Sequence, residues 1–118
     1  MSTRIVHIKI FRLKPGMGGE FHRVGHEESI PLVRNWGHDV IAYGPSPTDQ
    51  DSYFVIRAYE TVEQLRRDQD EFYGSADWKN GPREAILSMI ESDAEIVVEM
   101  SNEAIEAMRK GFEITRPV

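Results

Sequence analysis

A two-layer α+β domain, one four-stranded antiparallel sheet with helices on one face, is the fold class this sequence predicts. Three observations predict it. Segments of β-branched, strand-like character and segments of helical period follow one another in the order βαββαβ. At 118 residues the chain has room for one core of this size and not for a second. Finally, a double chain break, Phe72-Tyr73-Gly74-Ser75-Ala76-Asp77-Trp78-Lys79-Asn80-Gly81-Pro82-Arg83-Glu84-Ala85, splits the second helical region into pieces directly ahead of an apolar helical run. The order is that of the ferredoxin-like split βαβ unit, in which the first and third strands are central.

The elements justify themselves in turn. Arg4 to Arg12 is β-branched and bounded by Lys14-Pro15-Gly16, so it reads as the first strand. Residues 17 to 34 switch to helical period, with Met17, Phe21, Val24, Gly25, Glu28 and Leu32 on one face and Pro31 expected to kink the end. Gly37 stops the helix, and 38 to 44 form the second strand. A longish loop through Pro45-Ser46-Pro47-Thr48-Asp49 leads to a third strand over 52 to 59.

Thr61, with Glu63 and Gln64 behind it, resembles a capping box and opens a helix that buries Val62, Leu65, Gln69 and Phe72. In the double break, Ser75 can cap one short turn and Gly81-Pro82 can open the next helix. Phe72, Tyr73 and Trp78 are expected to clamp it to the body of the domain. A helix over 82 to 91 with Ala85, Ile86, Met89 and Ile90 inward precedes a fourth strand at 95 to 100. The domain is thus read as residues 1–101, followed by a helical tail over 102–118 that Ser101-Asn102 can cap.

Both faces of the two central strands are apolar. Val6, Ile8 and Ile10 point one way and Ile5 and Phe11 the other, while Phe54 and Ile56 oppose Tyr53, Val55 and Tyr59. Helices in this unit shield one face only, so something else must shield the second. A second copy of the sheet, packed face to face, is the simplest cover and makes the protein a homodimer; if the chain is a monomer, the helical tail from Asn102 becomes the cover, through Ile105, Met108 and Phe112. Val6, Ile8 and Ile10 are assigned to the helix side and Ile5, His7 and Phe11 to the partner side.

The residues of the double break carry a resemblance. Phe72-Tyr73-Gly74-Ser75 with Asp77-Trp78, then Gly81-Pro82-Arg83-Glu84-Ala85 and Ile90-Glu91-Ser92, resemble the C-terminal signature of the NIPSNAP family, and Tyr53 to Tyr59 suits the same pattern. The order of elements agrees over roughly residues 4 to 100, and the specific part is 72 to 92. The resemblance implies the dimeric α+β barrel superfamily, in which two ferredoxin-like sheets pair. That superfamily includes cofactor-free monooxygenases, isomerases, dehydratases and haem-handling enzymes, so it implies no single reaction.

Composition narrows the partners. A formal charge of −6 argues against nucleic acid and anionic membranes, which call for a basic footprint. No apolar run is long enough to span a bilayer. The absence of Cys removes thiol chemistry and disulfides and suits a cytoplasmic location, and the N-terminus shows no signal-peptide pattern.

His7 and Arg57 stand out, because each is polar in the middle of a central strand and a buried charge requires a partner, a ligand or a wet cavity. With Tyr43 they are the candidate catalytic residues. The competing reading makes Arg57 a structural ion pair with Glu95, Glu99 or a partner subunit. Trp78, Tyr73, Tyr53 and Trp36 are candidate walls of a mostly apolar ligand pocket, or else core and interface aromatics. His22 and His26 have a spacing that can hold a metal, but they lack the surrounding zincin motif and read as boundary histidines.

Gly16-Met17-Gly18-Gly19 lacks the dinucleotide-loop context and reads as a turn, so no cofactor is expected. The chain therefore reads as a homodimer binding a small, mostly apolar molecule. Its alternatives are a cofactor-free monooxygenase or isomerase-like enzyme and a non-enzymatic interaction module. An enclosed pocket reached by His7 or Arg57 separates the first two from the third.

Overall fold

In a computed structural model, which describes residues 2–115 and side chains 2–113, the chain folds as β1 (Thr3–Leu13), α1 (Gly18–Val24), a π-helical turn (Gly25–Ser29) and α2 (Ile30–Asn35), followed by β2 (Asp39–Ser46) and β3 (Asp49–Tyr59). Then come α3 (Val62–Tyr73), α4 (Ala76–Lys79), α5 (Arg83–Met89), β4 (Ile90–Ser101) and α6 (Asn102–Thr115). The strands form one antiparallel sheet in the order β2-β3-β1-β4, with β1 and β3 central as the element order requires. Residues 116–118 of the expected tail lie outside the described residues.

Helices α1 to α5 pack on one face over Leu13, Tyr43, Tyr53 and Val55. In β1 and β3 this face carries His7, Phe11, Tyr53, Val55 and Arg57, because His7 pairs with Arg57 and Phe11 with Tyr53 across the ladder. Val6 and Ile8 belong to the opposite face, which corrects the side assignment read from sequence. Alternation fixes only that neighbours point apart; which parity goes inward is decided by the helices that arrive.

On that opposite face lies α6. Ile105 is fully buried against Val6, Ile41, Ala42, Ile56 and Ala58, with Met108 and Phe112 continuing the contact. Ser101 caps the helix through Ala104 N–H (3.1 Å), as expected. A polar clasp holds it: Arg109 forks onto Asp39 at 2.9 and 2.8 Å, and Arg4 joins Asp39, Asn102 and Glu106. The tail of this chain thus occupies much of the face that the sequence reading gave to a second copy. Ile10 and Ile96 stay about half exposed there, at 49% and 56%.

Three further expectations change. Pro31 has no N–H to donate to the residue 27 carbonyl, and the helix widens just before it: Ile30 N–H reaches Gly25 O, five residues back. The extra residue rotates the inward face beyond it, so Ile30 and Val33 are buried while Glu28 is exposed; Met17, ahead of α1, is exposed as well. The β2–β3 connection is a two-residue turn at Pro47-Thr48 and not a long loop, because the sheet continues through Pro45 on an edge strand where its missing N–H costs no ladder bond. β4 begins five residues early, since Ser92 and Asp93 pair with Arg12 and Phe11 in spite of weak strand propensity, and Ala85 faces solvent on α5.

The double break behaves as expected. Thr61 caps α3 by accepting from Gln64 N–H (3.0 Å), and Ser75 caps α4 by accepting from Trp78 N–H (3.2 Å). A Cβ on Gly81 would lie 2.4 Å from Asp77 O, so only glycine closes the turn into α5. No helix among the described residues is long and apolar enough to cross a membrane.

Candidate functional site

Alternation along β1 and β3 places two polar residues side by side beneath the helices. His7 and Arg57 are opposite one another in the ladder and are 1% and 5% exposed. The helices do not close over them completely. An inner cavity of about 70 Å³ is lined by Arg57, Ser29, Phe11, Tyr53, Val55, Tyr73, Trp78 and Ile86, among others. Beside it an outer cleft of about 190 Å³ is lined by His7, Lys9, Arg57, Gln69, Leu87, Ile90 and Glu95. Phe11, Arg57, Tyr73, Trp78 and Ile86 border both.

The double break builds one wall. Gly74 and Ser75 turn the chain so that Tyr73 and Trp78 meet edge to face, with ring centroids 5.3 Å apart. Phe72, fully buried, anchors that wall against Trp36, His38, Tyr73 and Trp78. The π-helical turn builds the roof, placing Gly25 and Ser29 over the inner cavity. Such turns recur at functional sites because they re-aim side chains without ending the helix.

Arg57 donates from Nη1 to the Tyr73 hydroxyl (3.1 Å), and its guanidinium sits 5.8 Å from the Tyr73 ring centroid. Among the described residues it forms no ion pair; Glu95, which the sequence reading offered as its partner, goes to His7 instead. Arg57 Nε, Ser29 Oγ and His7 Nδ1 are buried without a hydrogen-bond partner among the described residues. All three residues line the two spaces.

His7 Nε2 lies 2.5 Å from Glu95 Oε2. Burial holds the imidazole below its ordinary value, partly offset by Glu95, with Arg57 and Lys9 reinforcing the depression. The hydrogen bond from His7 in turn holds the Glu95 carboxyl low. The consistent state is a neutral imidazole that donates from Nε2 to a carboxylate and keeps a lone pair on Nδ1. A histidine oriented this way can accept a proton.

The remaining candidates separate. Tyr53, Tyr73 and Trp78 line the inner cavity. Tyr43 does not; its hydroxyl meets His26 Nδ1 at 2.5 Å, on the β2 side of the sheet. Trp36 is away from the cleft as well, donating from its indole to Asp77 (3.1 Å). His22 and His26 stack at 5.7 Å, but their Nδ1 atoms face the Tyr53 and Tyr43 hydroxyls. No group of three or more His, Cys, Asp or Glu among the described residues is placed to hold a metal. Sequence reasoning missed Ser29 and the His7–Glu95 pairing. The Pro31 break pointed toward the first, and nothing local to the second.

His38 is a further buried imidazole, bonded through Nδ1 to Tyr59 (2.7 Å). Burial and Arg57 push its pKa down, while Asp68 favours the charged ring; Nε2 makes no hydrogen bond among the described residues although the Asp68 backbone is near. Both depressed histidines give stability that is complete above the unfolded value near 6.5 and declines as pH falls below it. The unfolding free energy from urea titration is therefore expected to fall between pH 7.5 and 5.5, by up to about 1.4 kcal/mol per pH unit for each group, and the urea midpoint with it. His38→Gln should flatten the slope, and a midpoint independent of pH in the wild type contradicts the assignment.

No protein-family model matches the sequence, and no curated protein matches it. Solved structures do. A NIPSNAP family protein from Agrobacterium tumefaciens superposes with a TM-score of 0.79 at 16% identity, over 90% of this chain and 93% of that one. A NIPSNAP-like domain protein from Burkholderia xenovorans gives 0.74 at 20% identity, over 80% and 83%. This chain has the fold of the NIPSNAP family proteins. A protein from Nitrosomonas europaea, named as a candidate antibiotic biosynthesis monooxygenase, matches at 0.59 and 16% identity, over 83% and 97%.

Proposed function

We propose that this chain is a cytoplasmic, homodimeric NIPSNAP-type protein that binds a small, mostly apolar molecule in the cleft between sheet and helices. One observation carries the reading: unpartnered, buried Arg57 Nε and Ser29 Oγ line the same mostly apolar cavity. Buried polar atoms are paired in roughly nine of ten cases, so such a pair around an unfilled space calls for a group supplied from outside. The test is a thermal-shift screen of the full chain against metabolite pools. A ligand at 100 times its dissociation constant adds about 2.7 kcal/mol of apparent stability. Pools that leave the wild-type melt unmoved at millimolar concentration count against the cleft.

The His7–Glu95 pair favours a second reading, an enzyme that abstracts a proton without a cofactor, of the monooxygenase or isomerase-like kind. His7→Gln is then expected to abolish turnover of any ligand the screen finds while leaving its binding within a few-fold. If no pool stabilises the protein and its dimer persists, a non-enzymatic interaction module becomes the better account.

A further inference from the structure

The lining of the cleft specifies the charge and size of its ligand more closely than the fold does. Arg57 carries one positive charge, is 95% buried by its 5% exposure, and forms no ion pair among the described residues; the two carboxylates that line the outer cleft with it, Glu95 and Asp93, are engaged by His7 and Lys9. Leaving a charge desolvated without a counter-charge is costly, and the single group that removes the cost is a monoanion. With Nη1 committed to Tyr73, the Nε edge of the guanidinium is the one left to receive it. Ser29 Oγ, on the π-helical turn across the same cavity, supplies a second donor. Two donors and one charge suit a carboxylate, whose two oxygens accept both. A phosphate dianion would bring more charge and more acceptors than these walls can satisfy.

Size follows from the second space. The outer cleft, about 190 Å³, is comparable to the roughly 150 Å³ apolar cavity that holds benzene. Phe11, Trp78 and Ile86 border both spaces and give the cleft its apolar part, while Lys9, Gln69, Asp93 and Glu95 make the rest of its lining polar.

Resting on the reading of this cleft as a ligand site, we propose that its ligand is a monocarboxylate with a body about the size of one aromatic ring, its carboxylate held by Arg57 and Ser29. The orientation runs carboxylate inward, ring outward, which brings the carbon next to the ring toward the His7 side of the cleft.

The experiment is calorimetric titration of the full chain with phenylacetate, its neutral isostere phenylacetamide and the cation phenethylamine. Phenylacetate is expected to bind at least tenfold more tightly than phenylacetamide, with phenethylamine undetectable. Arg57→Met, which keeps the apolar stem, should erase that preference, and Ser29→Ala should weaken phenylacetate several-fold while leaving phenylacetamide unchanged. Ser29→Ala keeps the test open if Arg57→Met fails to fold. Equal binding of acid and amide overturns the carboxylate assignment and leaves the cleft intact as a site. If none of the three binds while the metabolite screen yields a ligand, the proposed class is wrong. If neither yields one, the cleft reading fails with it.

Discussion

Phe72→Ala is expected to destabilise the protein by about 3–5 kcal/mol, the range for removing a fully buried aromatic. Phe72 is 0% exposed and is the hub of the aromatic wall. Its ring centroid lies 5.0 Å from Tyr73, 5.6 Å from Trp78, 5.7 Å from His38 and 5.9 Å from Trp36. Truncation removes all four contacts and leaves a void between rings held by separate elements, which cannot collapse together. Since whole domains are stable by about 5–15 kcal/mol, this is a large fraction of the total. Urea unfolding measures it, with Phe72→Leu as the milder control at under half the loss. A Phe72→Ala variant within 1 kcal/mol of wild type would show that the wall is not a load on the core. Because Tyr73 and Trp78 line the cleft, ligand binding should weaken in parallel.

Ile96→Asp is expected to convert the proposed homodimer to a 13.6 kDa protomer in light scattering at micromolar concentration. Ile96 pairs with Ile8 across the β1–β4 ladder, on the face opposite the cleft, and Ile10 is beside them. With Ile96 56% and Ile10 49% exposed next to half-covered Ile8, Phe54 and Val98, this is the apolar surface that α6 leaves open. A carboxylate there has to be desolvated on association, a penalty of several kcal/mol without a cationic partner. Val97 is the built-in control. It adjoins Ile96 in sequence, is 43% exposed and points to the other face, opposite His7. Val97→Asp should leave the mass unchanged. If the wild type is already a protomer, or Val97→Asp splits the assembly and Ile96→Asp does not, the assignment of that face to a second copy is wrong.

Much of this protein was legible in its sequence because the deciding interactions are local. The βαββαβ order follows from period changes and breakers, and with it the central positions of β1 and β3. The caps at Thr61, Ser75 and Ser101 are side chains meeting backbone N–H groups three residues on. His7 and Arg57 could be singled out because a polar residue within a central strand has few bland explanations.

Tertiary structure decided the rest, for reasons that lie beyond any window of sequence. Strand alternation says that Val6 and His7 point apart but not which meets the helices; the answer depends on packing elements tens of residues away. The single-residue phase shift in the π-helical turn moved the centre of the inward face from Glu28 to Ser29, Ile30 and Val33, with Leu32 partly buried beside them, and put Ser29 into the lining of the cavity that Arg57 borders. Glu95 chose His7 over Arg57 by ladder geometry across 88 residues, leaving the guanidinium without an ion pair among the described residues. Helix α6 was visible as an amphipathic tail, yet its seat on Val6, Ile41 and Ala58 depends on a face assembled from three strands and on Asp39 meeting Arg109. Residue character and local breaks determined the elements and their order. Long-range packing determined which faces are buried, which charges are paired, and hence where the cleft lies.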